Sequence, residues 1–265
     1  MKARDLARLV HADGFVTLPY ASYGSSLSVI QKLRTQVLYQ FSIYLSEAAT
    51  QNLDLTLREH AERLPGFYVR EGGRIDMQLS SLAIETNFLM KYSTQSSSLV
   101  DMILLKDMAI CWQPVLKELF SPHNFHLEYI GCVVSQPGDE AQNWHLDGIH
   151  RNKTIQESVD RLNVFVPLVA LNDEIGGTEM KLRSHIHENG ARGTAFEDYQ
   201  DLPSVIAHIQ AGTPIIMDYR VWHRGLANTS KDTLRPLLYF KHAKIETNSD
   251  LNIAKKRKRI TPVQV

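Results

Sequence analysis

Phe125-His-Leu-Glu-Tyr-Ile-Gly-Cys-Val-Val-Ser-Gln-Pro-Gly-Asp-Glu-Ala-Gln142-Asn-Trp-His145-Leu-Asp147 is where the character of this chain changes. Before it, apolar residues recur every three or four positions. Within it, His126, Glu128, Ile130, Cys132 and Val134 alternate with Leu127, Tyr129, Gly131 and Val133. Such period-two alternation predicts a β-strand with its side chains divided between two faces. Pro137-Gly138-Asp139-Glu140 then turns the chain toward His145-Leu146-Asp147. On an extended segment residues i and i+2 share a face, so one imidazole and one carboxylate aim at the same point, with Leu146 turned away.

Further strands follow. Leu162-Asn-Val-Phe-Val-Pro-Leu-Val-Ala-Leu171 reads as a buried strand in which Pro167 implies a bulge or an edge position. After a loop at residues 172–177 come Thr178–Leu182, a polar and partly helical insertion over 185–210, and Thr213–Asp218, which carries the chain to His223. Leu234–His242 is the last strand. Toward the N-terminus the spacing predicts helices instead. A short one covers 1–12, with Leu6, Leu9 and Val10 on one side; Asp13-Gly14 breaks it, and Phe15–Leu18 forms a first strand stopped by Pro19. A long amphipathic helix follows over 25–49, carrying Ile30, Leu33, Val37, Phe41 and Tyr44. Another is expected over 51–64, closed by Pro65-Gly66, then a turn at Arg70–Arg74 and helices over 78–92 and 97–120, the last restarting at Pro114. Helices first and short strands afterwards imply a mainly β sandwich or barrel buttressed by helices. The 265 residues read as one domain: 1–124 largely helical support, 125–245 the β core, 246–265 a basic tail.

Composition narrows the classes. With 29 basic and 29 acidic residues the formal net charge is zero, so no global field attracts nucleic acid or an anionic membrane. No apolar run approaches the roughly 20 residues of a membrane span, and the N-terminus lacks the apolar stretch of a secretory signal. Two cysteines, Cys111 and Cys132, make no disulfide framework and read as buried reduced thiols, so a cytoplasmic location is the expectation. Lys255-Lys-Arg-Lys-Arg259 has the composition of a nuclear address, but such a run is more often a solvated terminus. Nothing in the sequence sets the oligomeric state.

His145 and Asp147 are two-thirds of a 2-His-1-carboxylate triad, which holds Fe(II) and leaves three adjacent coordination positions open. His223, in Asp218-Tyr-Arg-Val-Trp-His-Arg-Gly225, is the candidate for the third ligand, and Arg235 follows on the next strand. Taken singly, each of these residues is as readily a hydrogen-bonded loop pair or a satisfied core histidine; the order of all four is what carries the reading.

These stretches resemble the phytanoyl-CoA dioxygenase family of Fe(II)/2-oxoglutarate oxygenases. The resemblance rests on Gln142-Asn-Trp-His145-Leu-Asp147-Gly, on Leu171-Asn-Asp-Glu-Ile-Gly-Gly-Thr-Glu179 running to Ser184-His185, and on Ala211-Gly212 through His223-Arg-Gly-Leu-Ala-Asn228 to Arg235. It implies a double-stranded β-helix (jelly-roll, cupin-like) core with helices on one outer face. It makes His145, Asp147 and His223 the iron ligands, and pairs Arg235 with the distal carboxylate of 2-oxoglutarate, for which a guanidinium fork is suited. It adds Gln142 and Asn163 as polar contacts to the cosubstrate. Arg235 stands twelve residues past His223, where family members often have eleven, so one extra loop residue is needed. Arg224, beside a ligand, should point to the opposite face; Lys91 is a further candidate for the pocket, and His185 and His187 read as structural or exposed.

The implied reaction couples O2 and oxidative decarboxylation of 2-oxoglutarate, to succinate and CO2, to hydroxylation of a C–H bond in a small-molecule substrate. The carboxylate at Asp147 fits that outcome, or a related desaturation or ring-forming oxidation, since halogenases of the superfamily carry a small residue there to admit chloride. Two other classes stay open at the level of sequence. A zinc hydrolase could use the same triad with an activated water but would leave Arg235 idle. A non-catalytic jelly-roll binding protein would need none of these groups. The substrate itself is not legible.

Overall fold

The computed structural model describes residues 1–55, 57–61, 63–64, 66–79, 100–149, 156–186 and 195–245. Its strands are β1 (Phe15–Thr17), β2 (Phe67–Val69), β3 (Ile75–Gln78), β4 (Phe125–Ser135), β5 (Arg161–Pro167), β6 (Thr178–Lys181), β7 (Ser204–Ile206), β8 (Ile215–Asp218), β9 (His223–Gly225) and β10 (Arg235–Lys244). Its helices are α1 (Ala3–Asp13), α2 (Tyr20–Tyr23), α3 (Leu27–Thr50), α4 (Arg58–Ala61), α5 (Met102–Ile110) and α6 (Gln113–Phe120). A seven-stranded antiparallel sheet in the order β1-β8-β5-β10-β4-β3-β2 faces a three-stranded sheet in the order β7-β6-β9. The fold is the jelly-roll that the resemblance implied.

Alternation along the central strands divides the molecule into a core and a site. Ile130, Cys132 and Val134 of β4, Leu162, Val164 and Val166 of β5, and Leu238 and Phe240 of β10 are buried on the outer face of the large sheet. They meet Leu6 and Val10 of α1, Ile30, Leu33, Val37, Phe41 and Tyr44 of α3, and Val115, Leu116 and Leu119 of α6 in one apolar cluster. Trp112, fully buried between α5 and α6, sets its ring edge-on to Phe240 at 5.0 Å. Each fully buried large apolar side chain on this face contributes roughly 1.5–3 kcal/mol. The opposite residues, including Tyr129, Val133, Asn163, Phe165, Arg235, Leu237 and Tyr239, face the interior between the sheets. One pattern in the sequence thus assigns both the core and the lining of the cavity.

Several expectations are corrected. Residues 51–64 do not continue as one helix: α3 ends at Thr50, Asn52 turns left-handed at φ 52°, and among the described residues of this stretch only Arg58–Ala61 is helical. Leu53 and Leu55 pack on the core at two-residue spacing, which an extended segment achieves and a helix does not. Arg70–Arg74 is a turn, as expected, but it joins two strands, β2 and β3, that the short runs around it did not reveal. Gln78 closes β3 and Leu79 continues it with a bond to the Ile130 carbonyl at 2.9 Å, so the helix expected over 78–92 does not begin there; residues 80–92, with Lys91, lie outside the described residues.

The helical stretch at 97–120 divides at Cys111-Trp112, and Pro114 sits in the first turn of α6, where a missing N–H removes no helical bond. Pro167 is neither at a bulge nor on an edge; it is the last residue of a central strand paired on both sides, so its lack of a donor falls where the ladder ends. Cys111 is exposed, while Cys132 is buried. Within the insertion, Phe196–Tyr199 forms a 3-10 turn and β7 adds to the small sheet. The basic tail and His187 are also outside the described residues. Among those described, no helix is long and apolar enough to cross a membrane.

Candidate metal centre and cosubstrate pocket

His145-Leu146-Asp147 does not lie on a regular strand. It is a loop held in extended form by ties along its length. Gln142 and Gly225 exchange bonds: the Gln142 N–H donates to the Gly225 carbonyl at 2.9 Å, and the Gly225 N–H donates to Gln142 Oε1 at 3.0 Å. Asn143 donates to Glu71 through both its backbone N–H and its side-chain amide. Trp144 stacks on Phe196 at 5.2 Å, with the Arg224 guanidinium 4.7 Å from its ring centre. His145 and His223 exchange backbone hydrogen bonds at 3.0 Å in each direction, a single antiparallel bridge. The Gly148 N–H donates to the Tyr219 carbonyl at 2.9 Å, and a Cβ at Gly148 would stand 2.9 Å from that tyrosine's ring.

The bridge sets the two imidazoles side by side, their centres 4.4 Å apart. Ligand atoms of His145, Asp147 and His223 all lie within 4.8 Å of one another, with His223 Nε2 3.8 Å from Asp147 Oδ2. The donor chemistry fits a divalent metal ion. His145 Nδ1 lies 2.9 Å from the Asn143 carbonyl and His223 Nδ1 lies 3.0 Å from the Val221 carbonyl. A carbonyl accepts only from N–H, so each Nδ1 carries the proton and each Nε2 presents a lone pair to the shared point. Burial pushes the His223 pKa down, opposed by Asp147 and aided by His145, which keeps the ring neutral as a ligand must be. Asn163 donates from Nδ2 to Asp147 Oδ2 at 2.6 Å. Asn163, expected at the cosubstrate, therefore holds a carboxylate of the triad; Gln142, expected there too, braces β9. Both also line the cavity.

That cavity encloses about 460 Å³ between the sheets, and the triad, Arg235 and Tyr239 are all in its wall. Arg235 reaches it because the loop after β9 is braced: buried Asn228 donates to the Ser135 and Thr233 carbonyls at 3.2 and 2.9 Å and accepts from Ser230. Only 4% exposed, Arg235 donates from Nη1 to the Ile175 and Leu226 carbonyls at 3.2 and 3.0 Å. No carboxylate among the described residues comes within ion-pairing distance of it. Burial, then the charge of Arg74, brings its pKa down to about 9. Arg224 turns away, as expected, and pairs with Glu179 at 2.8 Å. His185 is buried, its Nε2 3.1 Å from the His11 carbonyl, a structural role.

The chain matches the model of the Phytanoyl-CoA dioxygenase (PhyH) family over residues 55–236, more than half its length. It belongs to that family. It is therefore an enzyme of the Fe(II)/2-oxoglutarate-dependent class, which uses iron, 2-oxoglutarate and O2. Among solved structures it is similar to the non-haem alpha ketoglutarate dependent epimerase SnoN from nogalamycin biosynthesis, at 15% identity and TM-score 0.53, over 91% of this chain and 81% of that one. It is also similar to the alpha ketoglutarate dependent carbocyclase SnoK from the same biosynthesis, at 14% identity and TM-score 0.56, over 100% and 95%. AviO1 from Streptomyces viridochromogenes Tue57 aligns at 13% identity and TM-score 0.57, over 91% and 95%. At such identities the likeness is one of fold. No curated protein matches the chain in sequence.

Sequence reasoning missed the contribution of the β2–β3 hairpin. Arg70, Glu71, Arg74 and Asp76 all line the cavity from it. Asp76 accepts from Arg70 at 2.5 and 3.0 Å and from the Tyr239 hydroxyl at 2.9 Å; burial pushes its pKa up. Tyr239 was within reach: with Arg235 facing inward, Leu237 and Tyr239 follow at i+2 and i+4. Nothing in the local pattern of Glu71–Asp76 pointed to the site.

Proposed function

We propose that this protein hydroxylates a C–H bond of a small-molecule substrate while converting 2-oxoglutarate to succinate and CO2. His145, Asp147 and His223 would hold the iron, and Arg235 the distal carboxylate of the cosubstrate. The observation that carries this reading is the pairing, in one cavity, of two imidazoles with protons fixed away from a shared point and a buried guanidinium without a carboxylate partner among the described residues. When bound, the iron supplies the oxidising chemistry with O2 and the cosubstrate.

The protein's own groups do the rest. Asn163 fixes the Asp147 carboxylate through its bond to Oδ2. The Val221 and Asn143 carbonyls fix the tautomers. Asp147, as a carboxylate, occupies the position a halide would need, which supports hydroxylation over halogenation. Tyr129, Tyr219 and Tyr239, also in the cavity wall, offer aromatic surface and hydroxyls to a substrate of modest size. A zinc hydrolase using the same triad would leave the Arg235 charge buried to no purpose.

The test is anaerobic titration of the Fe(II)-loaded protein with 2-oxoglutarate, followed by its visible charge-transfer band, and then succinate release in air. A band that disappears in His223→Ala, with succinate formed only when Fe(II), 2-oxoglutarate and O2 are all present, is the expected result. Protein that binds no Fe(II) and gives no band refutes the reading.

A further inference from the structure

Arg74 immediately precedes β3, and alternation places it on the same face as Asp76 and Gln78. Because Ile75 pairs with Val134, Arg74 stands level with Ser135, and Arg235 pairs with Ser135 from the other side. Two arginines thus rise from one level of the sheet, flanking β4. Their guanidinium groups converge on a single acceptor: the Leu226 carbonyl takes Arg74 Nη2 at 2.6 Å and Arg235 Nη1 at 3.0 Å. Arg74 Nη2 also donates to the Gly225 carbonyl at 3.1 Å.

Arg74 is 1% exposed, and its Nε and Nη1 are buried without a hydrogen-bond partner among the described residues. Neither arginine has a carboxylate within ion-pairing distance among the described residues; Asp139, whose charge favours both cations, spends its Oδ2 on the Gln136 N–H. Holding two carbonyls of β9 and its loop would need only a neutral amide. Burying an unpaired guanidinium beside a second one is costly unless an anion arrives to offset both. The shape of the site explains why glycine occupies position 225: a Cβ there would come 3.2 Å from Arg74 Nε and 2.8 Å from Gln142 Oε1.

We infer that Arg74 is a second cationic determinant of the cosubstrate pocket: it aims Arg235 through the shared Leu226 carbonyl and, by its charge, makes the pocket select a 2-oxo acid with a carboxylate at its far end. Arg235 touches that carboxylate; Arg74 is a positioning residue behind it. The inference rests on the assignment of Arg235 proposed above and adds the hairpin residue that makes the selection.

The experiment is the anaerobic titration of Fe(II)-loaded wild type, Arg74→Gln and Arg74→Lys with 2-oxoglutarate and with 2-oxobutyrate, which lacks the distal carboxylate, read by the visible band. Thermal unfolding of each metal-free protein is measured alongside. Arg74→Gln should bind 2-oxoglutarate about 10- to 100-fold more weakly and 2-oxobutyrate within threefold of wild type. Arg74→Lys should recover part of the loss, and the Arg74→Gln protein should unfold at no lower temperature than wild type, since an uncompensated buried charge has gone. Equal weakening of both acids, or 2-oxoglutarate binding within twofold of wild type in both variants, overturns the inference. A wild-type protein without a band for either acid instead overturns the cosubstrate reading beneath it.

Discussion

Replacing Arg235 by methionine should strengthen the cosubstrate-free fold while abolishing tight cosubstrate binding. The guanidinium is 4% exposed, and its pKa falls from 12.5 to about 9, first through burial and then through Arg74. A folded pKa below the unfolded one means that the charged form weighs against the fold at neutral pH. At about 1.4 kcal/mol per pH unit the penalty is at most about 5 kcal/mol. Methionine keeps much of the stem's packing but forfeits the bonds to Ile175 and Leu226, at roughly 1 kcal/mol each. The Leu226 carbonyl retains Arg74 as a donor, whereas that of Ile175 loses Arg235. The net expectation is a gain of roughly 1–3 kcal/mol, and a midpoint higher by roughly 2–4 °C per kcal/mol, read by thermal unfolding without metal or cosubstrate.

Binding should move the other way. Removing the partner of a buried carboxylate costs about 2–5 kcal/mol, so affinity for 2-oxoglutarate should fall from about 30-fold to several thousand-fold in the anaerobic titration. Opposite signs in the two assays are the signature of a charge kept for a ligand. A variant that unfolds at a lower temperature and binds 2-oxoglutarate normally would refute the reasoning, because Arg235 would then be a structural residue satisfied by its carbonyls.

Other consequences follow from the same geometry. Asn163→Ala frees Asp147 Oδ2 and should weaken Fe(II) binding by about 10- to 100-fold, measured by competition with a chelator of known affinity; unchanged affinity would separate Asn163 from the metal site. Gly225→Ala forces a Cβ to within 2.8 Å of Gln142 Oε1 and should destabilise the protein by about 1–3 kcal/mol in urea unfolding, with no penalty from backbone strain. His242 is buried, and burial lowers its pKa from 6.5 to about 4, so the folded state takes up its proton later than the unfolded chain as pH falls. Its contribution is whole above pH 6.5 and is lost down to about pH 4, a change of roughly 3 kcal/mol. His242→Gln should flatten that part of the stability profile, and a profile identical to wild type between pH 7 and 4 would count against the burial argument.

Strand alternation is local, so the sequence by itself reached a mainly β sandwich or barrel; the jelly-roll came from the resemblance of its motifs to a family, which also nominated the three candidate ligands and Arg235. Alternation in β4, β5 and β10 even separated core from cavity. The same local rules failed where the decisive contact was distant. The H-x-D segment is extended only because Gln142, Asn143, Trp144 and Gly148 are tied to β9, Glu71, Phe196 and Tyr219. Asn163 bonds to Asp147, sixteen residues away in the chain, and so serves the carboxylate of the triad.

Arg74 shows the limit most clearly. In the sequence it is the end of a polar turn; in the fold it shares one carbonyl with a residue more than 150 positions later. Sequence period determines which face a side chain occupies, since that depends on neighbours two to four residues away. Which charges end up buried together depends on sheet register, and register is settled only when the whole sheet closes against its helices.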